Sequence, residues 1–469
     1  MRGPATTAAT FALVLLVGGS LVLAARLWAP APNVQVPLIG DARYAVPGTV
    51  AGLSAGDLAQ PWRILVHFGA DRTAALADPG DARYSTVWAD VRAVLPDLTP
   101  PAGAATAQGA GACAALAAKA PGSVEVDLGQ RLAWSSWTTI WGLGATVSAA
   151  GSSQPADRLL IAPDSTGAEA CRYAGAAAQA YHAADVPALR HLASDLAALR
   201  NQPLDYDLTP LPPVSGLSVR PGIDVPDPGF ARGAVAVRLE NIAPTYMLAA
   251  LFPPAASVRR SAGVDGLQNY SDGLAELHLG GDGTLQYAVG VPPSADTEGP
   301  GQALMSAAAF VDQAGGWPPT GLLFDLSAVP EPGSFRLRGG EGGSVGYSLT
   351  FTERWRGLPL LGDPASIAVD VGARGVLGYT RHVDVLAQEG APEYFLPAAQ
   401  ALARLAASWP LAASSADRVV SDIFPAYAKS GEGLRWQPVW GVELDDGSIV
   451  ALSAQDGSTL DVLRPQGAG

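Results

Sequence analysis

The sequence predicts an α+β protein of several domains, and three observations carry that prediction. At 469 residues, 48% of them apolar, the chain exceeds one ordinary core and can fill roughly two to four. Short runs with period-two alternation recur along it, bounded by Gly, Pro and Asp-Gly turns, as antiparallel strands require. Isolated helical patterns stand between those runs, without the strict strand–helix alternation of a parallel sheet.

Charge excludes some partners. The net charge is −14 and only 15% of residues are charged, whereas nucleic acid needs clustered Lys and Arg against its phosphates. The same deficit argues against a basic patch gripping anionic lipid. Lys119 and Lys429 are the two lysines, and Arg carries the remaining positive charge. Cys113 and Cys171 are too few for a structural zinc site. They either pair as a disulfide, as an oxidising compartment allows, or remain small apolar side chains.

Residues 1–30 are expected to form a cytoplasmic tip and a transmembrane anchor. No charged residue stands between Gly3 and Ala25, and "FALVLLVGGSLVLAA" is continuously apolar or small. A helix over that span reaches ~34 Å at ~1.5 Å per residue, the depth of a bilayer core. A cleaved signal peptide is the competing reading, but its best site, Ala29-Pro30-Ala31, puts Pro32 just past the cut. Arg2 favours a cytoplasmic start, and Arg26 on the far flank weakens the asymmetry. No second long apolar run follows, so the rest of the chain is expected outside the cell.

Residues 31–217 read as an N-terminal α+β domain. After a Pro-rich stalk, "QPWRILVHFG" reads as a strand. In "DARYSTVWADVRAVLPDL", Tyr84, Val87, Val91 and Val94 share a helical face that Pro96 ends. The Ala/Gly-rich "PPAGAATAQGAGACAALAAKAPG" reads as a loosely ordered insertion. "VEVDL" and "DRLLIAP" read as strands, and Trp134, Trp137 and Trp141 as an aromatic stripe belonging to the core. A helix from Asp185 to Arg200 follows, with Asp185 as its N-cap and Leu189, Leu192, Leu196 and Leu199 inward.

Two Pro/Gly-rich stretches, "LPPVSGLSVRPGIDVPDPGF" and "VPEPGSFRLRGGEGG", set off a middle α+β domain (218–330) and a C-terminal one (331–469). The middle domain carries a helix at "GQALMSAAAFVDQAGG", with Leu304, Ala308 and Val311 on one face and Gly315-Gly316 as its stop. The last carries strands at "SVGYSLTFTERW", "SIAVDV" and "GVLGYTRHVDVL". A helix with Ala398, Leu402, Leu405 and Trp409 aligned follows, then the closing strands "LRWQPVWGVEL", "SIVALSA" and "TLDVL". Both units are expected to be antiparallel sheets with one packed helix, a loose duplication.

The segment "NYSDGLAELHLGGDGTLQYAVG" has the densest polar residues. Ala275, Leu277 and Leu279 alternate with Glu276 and His278, and Leu285, Tyr287 and Val289 with Gln286 and Ala288. That is a hairpin with its apolar face inward and His278 on the polar face. Asp265, Asp272 and Asp282 each precede a Gly, but the ligand ladder of a calcium loop is missing.

The same segment resembles the middle domain of the YycH family. The matching residues are Phe252-Pro253, Val258-Arg259, Tyr270-Ser271-Asp272-Gly273, Leu277 and Leu279, Gly283 and Tyr287. "RYSTVWADVRAVL" and "VEVDLGQRLAWSSW" resemble that family's first domain. Gly357-Leu358-Pro359, followed by a strand pair ending in Tyr379 and Arg381, resembles its later part. "WQPVWGVELDDG" and "LSAQDGST" resemble the closing strands of YycH and its sister YycI. The matches keep their order over nearly the whole chain, and the Ala/Gly insertion departs from the pattern.

The resemblance implies a YycI-like arrangement: a transmembrane helix followed by three extracytoplasmic domains. It implies a regulator that associates with a membrane sensor histidine kinase, YycG or WalK, and with a YycI-like sister protein, to control cell-wall genes. Membrane helices supply much of the contact in that family. Here Ala8, Ala12, Leu15, Gly19 and Val22 form a candidate contact face, where small residues let helices approach closely; a simple anchor is the other reading.

No enzyme and no cofactor are expected. "GLSAG", Gly52 to Gly56, matches G-x-S-x-G, but Pro47 and Gly48 interrupt the strand a nucleophile elbow needs before Ser54. His67, His182, His191, His278 and His382 lack the neighbours of a general base, and no P-loop, H-E-x-x-H or dinucleotide fingerprint occurs. An extracytoplasmic ligand-sensing module is the alternative function, with a groove between helix and sheet as its site.

Overall fold

The Arg63–His67 strand is buried along its whole length, and the first sheet is built outward from it. It pairs antiparallel with Thr73–Leu76 on one side and with Ser123–Ala133 on the other. A computed structural model describes residues 52–69, 72–98, 113, 116, 121–143, 154–163, 167–174, 177–184, 186–220, 222–240, 243–254, 256–262, 267–281, 283–290, 299–318, 321–330, 345–362, 366–408, 419–430 and 435–463. The expected anchor, with Ala8, Ala12, Leu15, Gly19 and Val22, lies outside the described residues. Among the described residues no helix is long and apolar enough to cross a membrane. The fold is α+β, with large antiparallel or mixed sheets and few helices.

Ile64 and Val66 pack in one apolar cluster with helices Ala82–Val94 and Pro187–Leu199, because side chains alternate along a strand. Helix Ala82–Val94 buries Tyr84, Val87, Val91 and Val94, the four residues its spacing predicts, and Asp81 caps it by accepting from Arg83 N at 2.7 Å. Helix Pro187–Leu199 buries the four predicted leucines. Its start differs from the expected Asp185 cap: Val186 stands at the cap and Pro187 is the first helical residue. Proline suits that position because its fixed φ is helical and it has no N–H to satisfy. The tryptophan stripe lies in the core. The Trp137 and Trp141 rings stack at 5.0 Å, and their indole N–H groups donate to Ala156 O and Ala59 O, each at 3.0 Å.

The predicted hairpin forms from Ala275–Leu279 and Leu285–Val289, with Leu277 opposite Tyr287. Register extends this pair into one buried row across the sheet: Tyr270, Leu277, Tyr287, Tyr379, Val369 and Leu349. Helix Pro300–Gln313 covers the row with Leu304, Ala308 and Val311, and Phe310 lies 5.2 Å from Tyr379 ring to ring. Gly316 N donates to Val311 O and closes the helix at the predicted stop.

The remaining strands form a sheet covered by helix Ala398–Ser408, which buries Ala398, Leu402 and Leu405; Trp409 lies outside the described residues. The two sheets expected to be separate are continuous: strand Val345–Trp355 pairs with Leu358–Leu361, which runs parallel to Val419–Ser430. Pairing also crosses residue 330, since Gly321–Pro330 pairs along its length with Val345–Trp355. Val235–Leu239 joins the C-terminal strands Asp384–Glu389 and Arg435–Leu444. Strand pairing is therefore continuous across the boundary expected at residue 330.

Leu277 is wholly buried at the centre of the row. Leu277→Asp places an unpaired charge there, at a cost of several kcal/mol, and the middle sheet is expected to unfold. Thermal denaturation followed by near-UV circular dichroism checks this; an unchanged midpoint would contradict the assigned face.

Candidate functional site

The first sheet turns its second face towards the C-terminal sheet, and that face mixes apolar with ionisable residues. Period two puts Arg63, Leu65 and His67 of one strand there, with Glu125 and Asp127 of the next and Arg158 of strand Pro155–Pro163. Leu65, Ala75, Tyr206 and Leu208 pack in one apolar cluster with Leu360, Tyr427 and Trp436 of the later chain. Arg63 and Asp127 are thereby largely withdrawn from water in the seam where the two sheets meet, and Arg158 at the margin keeps about a third of its side chain exposed.

Arg63 holds the seam. Its Nε donates to Asp127 Oδ2 at 3.1 Å within the first sheet, and its Nη2 to Asp422 Oδ2 at 2.5 Å across the seam. The guanidinium lies 4.5 Å from the centre of the Trp62 ring, which packs edge-on against Phe424. Beside it, Arg158 Nη1 donates to Glu125 Oε1 at 3.0 Å, and His67 Nε2 sits 3.7 Å from Glu125 Oε2.

Burial disfavours every charge here, and the partners decide which survive. Burial alone would depress the Arg63 guanidinium, but the Asp422 and Asp127 carboxylates outweigh it and hold its pKa above normal. Burial opposes ionisation of Glu125, yet Arg158 and His67 bring it down to about 2. Asp127 ends above its ordinary value, through burial and then Asp422, with Arg63 opposing. Glu443 stands opposite Asp422 in strand register. Burial, Asp422 and Asp127 push it up to about 7 against the weaker pull of Arg220 and Arg63.

Of two further buried arginines, Arg354 bonds the entry to the first sheet and Arg381 braces the later sheet. Arg354 Nη1 donates to Trp62 O at 2.8 Å and Pro61 O at 3.2 Å, and Tyr84 Oη donates to the same Pro61 carbonyl at 2.6 Å. Arg381 pairs with Glu240 through two bonds of 2.6 and 2.9 Å and donates to Gly316 O at 2.6 Å.

The residues that carry the family resemblance do structural work in this framework. Phe252 is buried edge-on to Tyr287, and Pro253 beside it is exposed. The Tyr270, Tyr287 and Tyr379 hydroxyls donate to Gln268 Oε1, Leu251 O and Ala314 O. Asp272 accepts from the backbone N–H of Leu274 and Ala275 at 2.9 and 2.8 Å, which holds its carboxyl below the ordinary range. Gly273 beside it and Gly283 in the hairpin turn have φ of 91° and 80°. Gly357 has φ +77°, and a Cβ there would come within 2.5 Å of the Ala77 carbonyl carbon, so only glycine lets that turn rest on the end of strand Thr73–Leu76. Pro359 stands opposite Arg354 in the adjoining strand.

His278 is half-exposed as predicted, 2.8 Å from Asn269 Oδ1 through its Nδ1. Asp265 and Asp282 lie outside the described residues. Among the described residues no group of His, Cys, Asp and Glu is placed to hold a metal. Ser54 is an N-cap: its Oγ accepts from Asp57 N at 3.2 Å and donates to Asp57 Oδ2 at 2.6 Å, opening the one-turn helix Ala55–Leu58. Cys113 and Cys171 form a disulfide, the first of the two readings left open by the sequence.

The seam residues Arg63, Glu125, Asp127, Asp422 and Glu443 were not singled out by sequence reasoning. The signal for the first three was present: ionisable residues at alternate positions of strands whose intervening residues are apolar.

No family model matches the chain, and no curated protein matches it. A crystal structure of an uncharacterized protein from Eubacterium rectale is similar in part, at 10% identity and a TM-score of 0.35, covering 51% of this chain and 84% of that one. Likeness at that level carries no argument.

Arg63→Met leaves two buried carboxylates without their partner and is expected to cost ~3–5 kcal/mol in urea unfolding. Arg131→Met, which removes the exposed pair with Asp157, is expected to cost ~0–1 kcal/mol. Equal costs would contradict the seam's role. Ser54→Ala is expected to lose ~1 kcal/mol of capping and to leave any cellular phenotype intact; a loss of phenotype at unchanged protein level would mark Ser54 as a nucleophile.

Proposed function

We propose that this chain is a membrane-anchored, extracytoplasmic regulator of a sensor histidine kinase of the YycG or WalK type, acting on cell-wall homeostasis. In this reading residues 1–30 span the cell membrane once with the amino terminus in the cytoplasm, and the rest folds outside as a YycI-like ectodomain. The kinase and a YycI-like sister protein are its partners.

The observation that carries the reading is the ordered run of family-like motifs from Phe252 to Tyr379. Among them Tyr270, Tyr287 and Tyr379 stand in a single row of one sheet. Residues of that kind resemble a shared scaffold. The Cys113–Cys171 disulfide supports the location, because such bonds persist in oxidising compartments. The three buried arginines favour a unit that presents a fixed outer surface to a partner.

The test exchanges residues 3–25 for an unrelated apolar helix of equal length and measures co-purification with the kinase from membranes. Weakened association is expected, since close helix packing depends on the small residues at Ala8, Ala12 and Gly19. Undiminished co-purification would contradict the contact face, and absence of the kinase from the wild-type preparation would contradict the function itself.

A further inference from the structure

The Arg63 cluster holds more acid than base. Asp127 and Asp422 both bond to one guanidinium, and Glu443 faces Asp422 from the adjoining strand of the C-terminal sheet. The groups that act on Glu443 come from every side of the seam. Asp422 stands on the neighbouring strand, Asp127 and Arg63 on the first sheet, and Arg220 follows strand Ser218–Val219. On its other flank strand Ile449–Ser453 contributes the apolar Ile449. If every carboxyl ionises, Arg63, Arg158 and Arg220 face Asp127, Asp422, Glu443 and Glu125 in a partly dry seam, and Asp422 and Asp127 oppose the ionisation of Glu443.

We propose that this cluster is a proton-dependent latch: Glu443 in its protonated form keeps the first sheet and the C-terminal sheet closed on each other, and loss of that proton loosens the seam. The direction follows from the shift. Glu443 is raised from its ordinary 4.5 to about 7. Its contribution is therefore complete below the ordinary value and is lost as pH rises to and through neutrality. Asp127 shifts the same way, while Glu125, held at about 2, stays ionised throughout that window. The seam thus has one group whose charge changes where the surroundings of an extracytoplasmic domain change. The latch itself stands on geometry and needs no kinase.

Hydrogen exchange of the detergent-solubilised full chain tests it, with rates corrected for the intrinsic pH dependence of exchange. Amides of Arg63–His67 and Val419–Ser430 are expected to lose protection between pH 5.5 and 8.5 in the wild type and to keep it in Glu443→Gln. The row around Leu277 serves as the internal control and is expected to hold at both values. Equal protection of the seam at both pH values in the wild type, or an equal loss in Glu443→Gln, overturns the latch. Should the variant fail to fold, the carboxyl carbon of Glu443 in selectively labelled wild-type protein decides. A titration midpoint displaced to about 7 supports the proposal, and a midpoint in the ordinary carboxylate range overturns it.

Discussion

A guanidinium buried between two sheets is the constraint on which this architecture depends. Arg63 lies on the central strand of the first sheet, bonded to a carboxylate of its own sheet and to one of the C-terminal sheet. Charges taken out of water are costly unless paired, and Arg63 offsets that cost for Asp127 and Asp422 together only while the two sheets meet. The apolar part of the seam, from Leu65 to Trp436, supplies adhesion without direction. The ion pairs supply register. Together they fix how the first strand meets a segment more than three hundred residues later.

Arg354 and Arg381 are buried at two other junctions. Arg354 reads two backbone carbonyls at the entry to the first strand, and Arg381 ties the middle sheet to Glu240 and to the end of helix Pro300–Gln313. Lysine would fill the place of Arg381 less well, because the planar fork there bonds through all three nitrogens at once. The chain's near-exclusive use of arginine therefore has a structural use, whatever its origin in composition.

Much of the fold was legible in the sequence where side chains are large enough to show a period. The helices over Tyr84–Val94 and Leu189–Leu199, the tryptophan stripe and the hairpin at Leu277 all followed from spacing. Strands Gly167–Ala174 and Ala177–Ala184 did not, because their alanines and glycines carry little hydrophobic contrast. Helix Pro244–Leu251 is too short for its period to emerge. The merging of the later sheets was equally hidden, since the joining strand Leu358–Leu361 is four residues long and its pairing is set by distant backbone. The seam was half legible: alternate charges at Arg63, His67, Glu125 and Asp127 marked an unusual face, but the sequence gives no sign that Asp422 arrives to meet it.

The ion pair between Arg63 and Asp422 is the lock between the first sheet and the C-terminal sheet. The most direct measurement of the lock is a double-mutant cycle between Arg63 and Asp422, using Arg63→Met, Asp422→Leu and the pair, with stability from urea unfolding. A coupling of at least ~1 kcal/mol is predicted, the double variant losing much less than the two single losses together. Additive losses would contradict the account, because they would mean that the two sheets meet at this point without depending on each other.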